Sequence, residues 1–218
     1  MHPPLRHTLA PDAIPRHLHA APYAAVVLEG GYEEAGERGR FRVEAGDVLV
    51  HAAFSAHFNP APNGRVVVLN LPLAAAPTFA IARLPDPDTL VRLAERDPAA
   101  ATAYLVANWQ SGRAALADAP DRMAAALSAA PDLAIEAWAR DHGVTRETAF
   151  RWFRQAYGVA PSRYRVEARA RRAWGLITGG AEPLAAIAVE VGFTDQAHMT
   201  RDVKALTGRT PGQWRVAA

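Results

Sequence analysis

The chain contains no cysteine, which excludes disulfides, thiolate metal sites and a cysteine nucleophile, and fits a reducing compartment. Its longest apolar runs, such as AAVVL, fall far short of the ~20 residues that a membrane helix needs. The opening segment MHPPLRHTLAPDAIPRHLH lacks the apolar core of a secretion signal. A soluble, cytoplasmic chain with no membrane partner is therefore expected. Lysine is almost missing as well, with Lys204 the single example, so arginine carries the positive charge. What the sequence does have is bulk. Half of its 218 residues are apolar, enough for one large domain or two modest ones with a real core.

The formal net charge of +2 hides an asymmetry. From Arg140 onward there are 13 Arg and Lys against 7 Asp and Glu, a net of +6. The first 139 residues carry 11 against 15, a net of −4. A basic C-terminal part suits a polyanion partner, and the acidic N-terminal part does not.

Residues 14–71 read as β-structure. YAAVVLE, RFRVE, DVLVHA and RVVVLNL are short, rich in valine and separated by turns containing glycine. That spacing predicts a small antiparallel barrel or sandwich. Residues 72–130 change character. Pro72, Pro77, Pro85 and Pro87 break the chain, and Asp88, Pro98 and Pro120-Asp121 look like helix starts before runs of Ala and Leu. Two or three helices are expected here, either as a connector with apolar faces for dimerisation or packed on their own barrel.

Residues 132–217 are helical and repeated. HGVTRETAFRWFRQAYGVAPSRYRV can be laid on VGFTDQAHMTRDVKALTGRTPGQWRV. Gly143 matches Gly192 at an offset of 49; Arg151/Arg201, Phe153/Val203, Arg154/Lys204, Gly158/Gly208, Pro161/Pro211 and Tyr164/Trp214 match at 50. Each copy reads as an apolar helix, a tight glycine turn, a capped second helix, a glycine stop and a proline opening the next helix. That is a helix-turn-helix, twice, joined by one long linking helix over SRYRVEARARRAWGLITG. In such a motif the second helix enters the major groove of double-stranded DNA. Gln196, His198, Thr200, Arg201 and Lys204 give the last of these helices a face of donors and mixed donor–acceptors, with Asp202 the only interior acid. Glutamine suits adenine, arginine suits guanine, and histidine or threonine suits bases or phosphate.

EPLAAIAVEVGFTDQAHMTRDVKALTGRTPGQWR resembles the signature of the AraC/XylS family of bacterial transcription regulators, and the upstream copy is similar to the family's first helix-turn-helix and linker. The resemblance covers residues 132–216. It implies base-reading positions at Glu147, Phe150 and Arg151 in the first recognition helix, and at Gln196, Ala197, His198 and Arg201 in the second, with Arg154, Thr200 and Lys204 completing the DNA-binding faces. Two departures stand out. Phe150 occupies a place where a small polar residue is usual, and Ala149 one where a core leucine is usual. Phe150 either turns inward or touches a thymine methyl. Trp152, Phe153, Tyr164, Trp174 and Trp214 read as core aromatics. Arg169, on the linker helix, reads as a phosphate contact.

The N-terminal part resembles the cupin barrels often fused to this unit. PRHLHAAPYAAVVLEGGYEEAG and GRFRVEAGDVLVHAAFSAHFN carry a His-x-His, a glycine-rich hairpin, an Ala-Gly-Asp turn and a late histidine. His17 and His19 are two apart and face one way on a strand, and His57 falls where a third cupin ligand would lie. Three neutral imidazoles can hold a divalent transition metal (Zn²⁺, Fe²⁺ or Ni²⁺) with a position left open. The carboxylate of the cupin set is missing at its expected place, which is near Tyr23. The other readings are a small-molecule pocket lined by histidines or a plain dimer scaffold. His51 is a fourth candidate, better read as a barrel residue.

The expected fold class is α+β. Residues 1–80 form a cupin-like antiparallel β-barrel as the sensor, 81–130 a helical connector, and 131–218 an all-α double helix-turn-helix. The expected function is an AraC-type transcription regulator and not an enzyme, controlled by a small-molecule effector or metal, with RNA polymerase and a second copy of the chain as protein partners. The competing reading is a metal-dependent cupin enzyme with a helical appendage.

Overall fold

The computed structural model describes residues 4–9, 11–130 and 133–217. The chain forms two compact units, 1–116 and 117–218. The boundary expected at residue 131 lies outside the described residues.

The first unit contains two antiparallel sheets. One orders its strands β1 (Arg6–Thr8), β8 (Val67–Pro72), β3 (Tyr23–Glu29), β6 (Asp47–His51), β9 (Ile81–Arg83) and β10 (Gln110–Ser111). The other orders β2 (Ile14–His17), β7 (His57–Asn59), β4 (Gly31–Gly36) and β5 (Gly39–Glu44). Side chains alternate across a strand, and the two faces of the larger sheet are buried differently. Tyr23, Ala25, Val27, Leu49 and Val68 pack with Tyr32, Phe41 and Val43 of the smaller sheet. Ala24, Val26, Val48, Val50, Leu69 and Leu71 pack with Leu90, Ala94, Ala101 and Leu105 of two helices. Covering both faces explains why YAAVVL and DVLVH read as continuous apolar runs.

Those helices are α1 (Pro87–Ala94) and α2 (Pro98–Asn108). Asp86 and Asp97 cap them by accepting backbone N–H bonds, and a proline follows each cap at the first helical position. The connector of residues 81–130 is thus not a separate body, because its helices divide between the two units. Strand β9 and helices α1 and α2 complete the first core. Helix α3 (Ala119–Ala129) buries Met123, Ala124 and Leu127 in the second unit.

The second unit is helical throughout. After α3 come α4 (Ile135–Asp141), α5 (Arg146–Tyr157), α6 (Pro161–Gly179), α7 (Leu184–Glu190), α8 (Gln196–Thr207) and α9 (Pro211–Ala217). The two copies are α4–α5 and α7–α8, and α6 is the linking helix of 19 residues. Their turns close alike. Gly143 and Gly192 sit at φ of 67° and 79°, a region that costs a side chain energy. The N–H of each donates three residues back, to Arg140 and Val189, and the next N–H donates five back, from Val144 to Ala139 and from Phe193 to Ala188. Both recognition helices then stop at a left-handed glycine, Gly158 or Gly208. Among the described residues, no helix is long and apolar enough to cross a membrane.

Candidate nucleic-acid interface and histidine pocket

The first recognition helix, α5, starts at Thr145, whose Oγ1 accepts the Thr148 N–H at 3.2 Å. Ala149, Phe153 and Tyr157 form its buried stripe. The i, i+3 and i+4 spacing leaves Arg146, Glu147, Phe150, Arg151, Arg154 and Gln155 on the opposite face. Glu147, Arg151 and Arg154 are exposed, Phe150 is half-buried and Ala149 is buried. Trp152 is 36% exposed, against the expectation of a core aromatic: it follows Arg151 by one step and so leaves the Ala149–Phe153 stripe. Behind the helix, Phe153 stacks on Tyr157 and meets Tyr164 of α6 edge-on.

The second recognition helix, α8, begins at Asp195, whose Oδ1 accepts the His198 N–H at 2.7 Å. Such a cap is worth about 0.5–2 kcal/mol. Met199, Val203 and Leu206 are buried. Gln196, Ala197, Arg201 and Lys204 are exposed, while His198 and Thr200 are half-buried. His198 is engaged inside the domain. Its Nε2 stands 3.4 Å from the Asp202 carboxylate, and its ring meets Phe193 edge-on.

Arg169 departs from the phosphate-contact expectation. It donates to the Gly192 carbonyl at 3.0 Å, stands 3.8 Å from Asp202 and lies over the Phe193 ring at 4.3 Å. Its side chain is only 15% exposed. It braces the turn of the second copy rather than reaching outward.

The histidines of the first unit converge. His17 and His57 are register partners across β2 and β7, as are Tyr23 and His51 across β3 and β6. Phe54, at a φ of 57°, bends the loop between His51 and His57, and its N–H donates to the His19 carbonyl at 2.8 Å. A bulky residue in that region costs roughly 1–3 kcal/mol, so the loop that sets His57 against His19 is held by its surroundings. His17, His19 and His57 present ring nitrogens all within 4.8 Å of one another. They line a cavity of about 520 Å³ together with Tyr23, Glu34, His51 and Asn59.

Glu34 corrects the expectation that this pocket lacks a carboxylate. The acid comes from β4 and not from the segment near Tyr23 that follows His17 and His19. His51 likewise joins the cluster instead of serving only the wall. Glu34, His51 and His57 are all buried, and their ligand atoms also lie within 4.8 Å of one another. Burial pushes Glu34 up to about 8 against the opposing hydrogen bond from Asn59. Burial, helped by the neighbouring His19, His17 and Arg38, lowers His51 to about 3, and burial, helped by His51, His17 and His19, holds His57 well below its usual value. Burial, then Glu34, raises the Tyr23 phenol. Imidazoles kept neutral in this way have ring lone pairs available to a ligand.

A family model described as a helix-turn-helix domain matches residues 138–217. A transcriptional regulator with an AraC-type DNA-binding domain from Chromobacterium violaceum is 25% identical over 45% of this chain and 89% of that one, with a TM-score of 0.42. The DNA-binding domain of AdpA, a global transcriptional factor in complex with a target DNA, is 23% identical over 46% and 93%, with a TM-score of 0.43. Fatty-acid-bound ToxT from Vibrio cholerae is 10% identical over 96% and 93%, with a TM-score of 0.43. The comparison with curated proteins gives no match. The second unit thus carries two helix-turn-helix motifs, α4–α5 and α7–α8, within the reach of a helix-turn-helix family model. That match, over residues 138–217, begins inside α4 and takes in the rest of the first copy and the whole of the second.

Proposed function

We propose that the two recognition helices read two consecutive major-groove segments of one duplex, and that occupancy of the histidine pocket changes how tightly they do so. The observation that supports this is the recurrence, at a 50-residue offset, of a helix face that lies opposite the buried stripe and carries exposed Arg151 and Arg154 in one copy and Arg201 and Lys204 in the other. Glu147, Phe150, Arg151 and Arg154 occupy it in the first copy; Gln196, Ala197, Thr200, Arg201 and Lys204 in the second. His198 contributes by holding Asp202 and the helix start. Arg151 and Arg201 are the guanine readers, since arginine makes the commonest specific contact with that base. The protein works in the cytoplasm, with RNA polymerase and a second copy of itself as protein partners.

The pocket supports a sensor role because His17, His19 and His57 offer three imidazole donors lining one cavity. They would hold a divalent transition metal such as Zn²⁺, Fe²⁺ or Ni²⁺, with a fourth position open for a small-molecule effector. A ligand shifts DNA affinity only if it binds the two conformations of the protein differently, typically by 1–3 kcal/mol. The test is selection of binding sites from a random duplex pool, then mobility shifts with and without added Zn²⁺. A selected site with two conserved segments about 10 base pairs apart, bound several-fold differently with metal, is the expected result. A single short segment would refute the tandem reading, and metal-independent affinity would refute the sensor reading.

A further inference from the structure

The buried acid beside the three histidines has a spacing of its own. Glu34 Oε1 and His51 Nδ1 stand 3.6 Å apart, too long for a hydrogen bond. Two ligands on one tetrahedral ion, each at about 2.1 Å, stand about 3.4 Å from each other. The second carboxylate oxygen, Oε2, is occupied: it accepts from Asn59 Nδ2 at 2.9 Å, the kind of outer bond that aims a ligating oxygen. Glu34 is 7% exposed, and among the described residues its one ion pair is with His51. A carboxylate taken out of water requires a proton or a cation close by.

We propose that Glu34 and His51, with His57, form a second cation position deeper between the sheets, so that the centre offers five donors, one of them an imidazole shared by both sets, instead of three. His57 joins both sets through one nitrogen, because its Nδ1 faces the Ser55 carbonyl at 3.5 Å. One nitrogen serves one ion, so the centre holds a single divalent ion, either on His17, His19 and His57 or on Glu34, His51 and His57. The outer set is all nitrogen. The inner set is two nitrogens and a carboxylate, which suits Zn²⁺, Fe²⁺ and Co²⁺ and extends toward harder ions such as Mn²⁺. This rests on the metal reading of the pocket and adds the inner position to it.

The experiment is Co²⁺ titration of the metal-free full-length protein by equilibrium dialysis, with circular dichroism and thermal unfolding to verify each variant's fold. Glu34→Gln keeps the shape of the side chain and an oxygen for Asn59, so it removes the charge with little disturbance. The wild type is expected to take up one Co²⁺ per chain. His17→Ala/His19→Ala is expected still to take up one, with an affinity lowered at most about a hundredfold. Adding Glu34→Gln to that variant is expected to weaken Co²⁺ by at least a further hundredfold. A folded double variant that binds no Co²⁺ while the wild type does would overturn the inner position and leave the three-histidine site standing. So would a triple variant that binds as well as the double. A wild type that binds no Co²⁺ would overturn the metal reading and the inner position together.

Discussion

The two helix-turn-helix copies share a backbone and differ in almost everything that holds it. The first rests on aromatic packing and on a helix that precedes it: Phe153, Tyr157 and Tyr164 form one cluster, and the Tyr157 O–H donates to the buried Asp121 of α3 at 2.9 Å. The second rests on Met199 and Val203, on an arginine brace and on a helix that follows it. There the Trp214 Nε1–H of α9 donates to Thr207 Oγ1 at 2.8 Å, and Trp214 meets Trp174 of α6 edge-on. A glycine turn, a cap and an apolar stripe suffice to define the motif. What lies behind that frame is free to change.

The largest expected effect separates the two cores. Phe153→Ala removes a fully buried ring and should cost about 3–5 kcal/mol of the second unit's stability; Met199→Ala should cost about 2–5. Denaturant titration of each variant checks the order, and a larger loss for Met199→Ala would mean that the second copy is the better packed. Next, Arg169→Ala should destabilise the second unit by roughly 1.5–3 kcal/mol, the range for a hydrogen bond from a charged donor. Its salt dependence of DNA binding should stay as in the wild type. A shallower salt slope with unchanged melting temperature would restore Arg169 to the phosphate backbone. The smallest pair compares the two closing bonds. Tyr157→Phe leaves the buried Asp121 short of a donor and should cost about 1–3 kcal/mol, whereas Thr207→Val, at a half-exposed site, should cost about 0.5–1.5. Equal losses in thermal melts would show that burial does not separate them.

The sequence made some of this legible and not the rest, for physical reasons. The repeat was readable because Gly143, Gly192, Gly158 and Gly208 sit where the backbone needs φ > 0, and few other residues serve there. The strands were readable from valine-rich runs between turns. The helices of residues 87–129 were visible by their proline and aspartate starts, but which core each joins depends on Leu90, Leu105 and Met123 meeting partners far along the chain. The roles of Glu34 and Arg169 escaped for the same reason. Both are fixed by neighbours from far along the chain, Asn59 and Gly192, and local spacing carries no trace of such pairs. The His198–Asp202 pair, four residues apart on α8, was within reach of a spacing argument.

The most direct test of the central claim uses Arg151→Ala and Arg201→Ala in the full-length protein, on a selected site, its single-base variants and a random duplex. If each recognition helix reads its own segment, each variant loses about 1–3 kcal/mol on the selected site. Each should also relax base preference in a different segment, with the two segments one helical turn apart, while binding the random duplex nearly as the wild type does. Equal loss on selected and random duplex, or relaxation by both variants at the same base pairs, would contradict two reading helices.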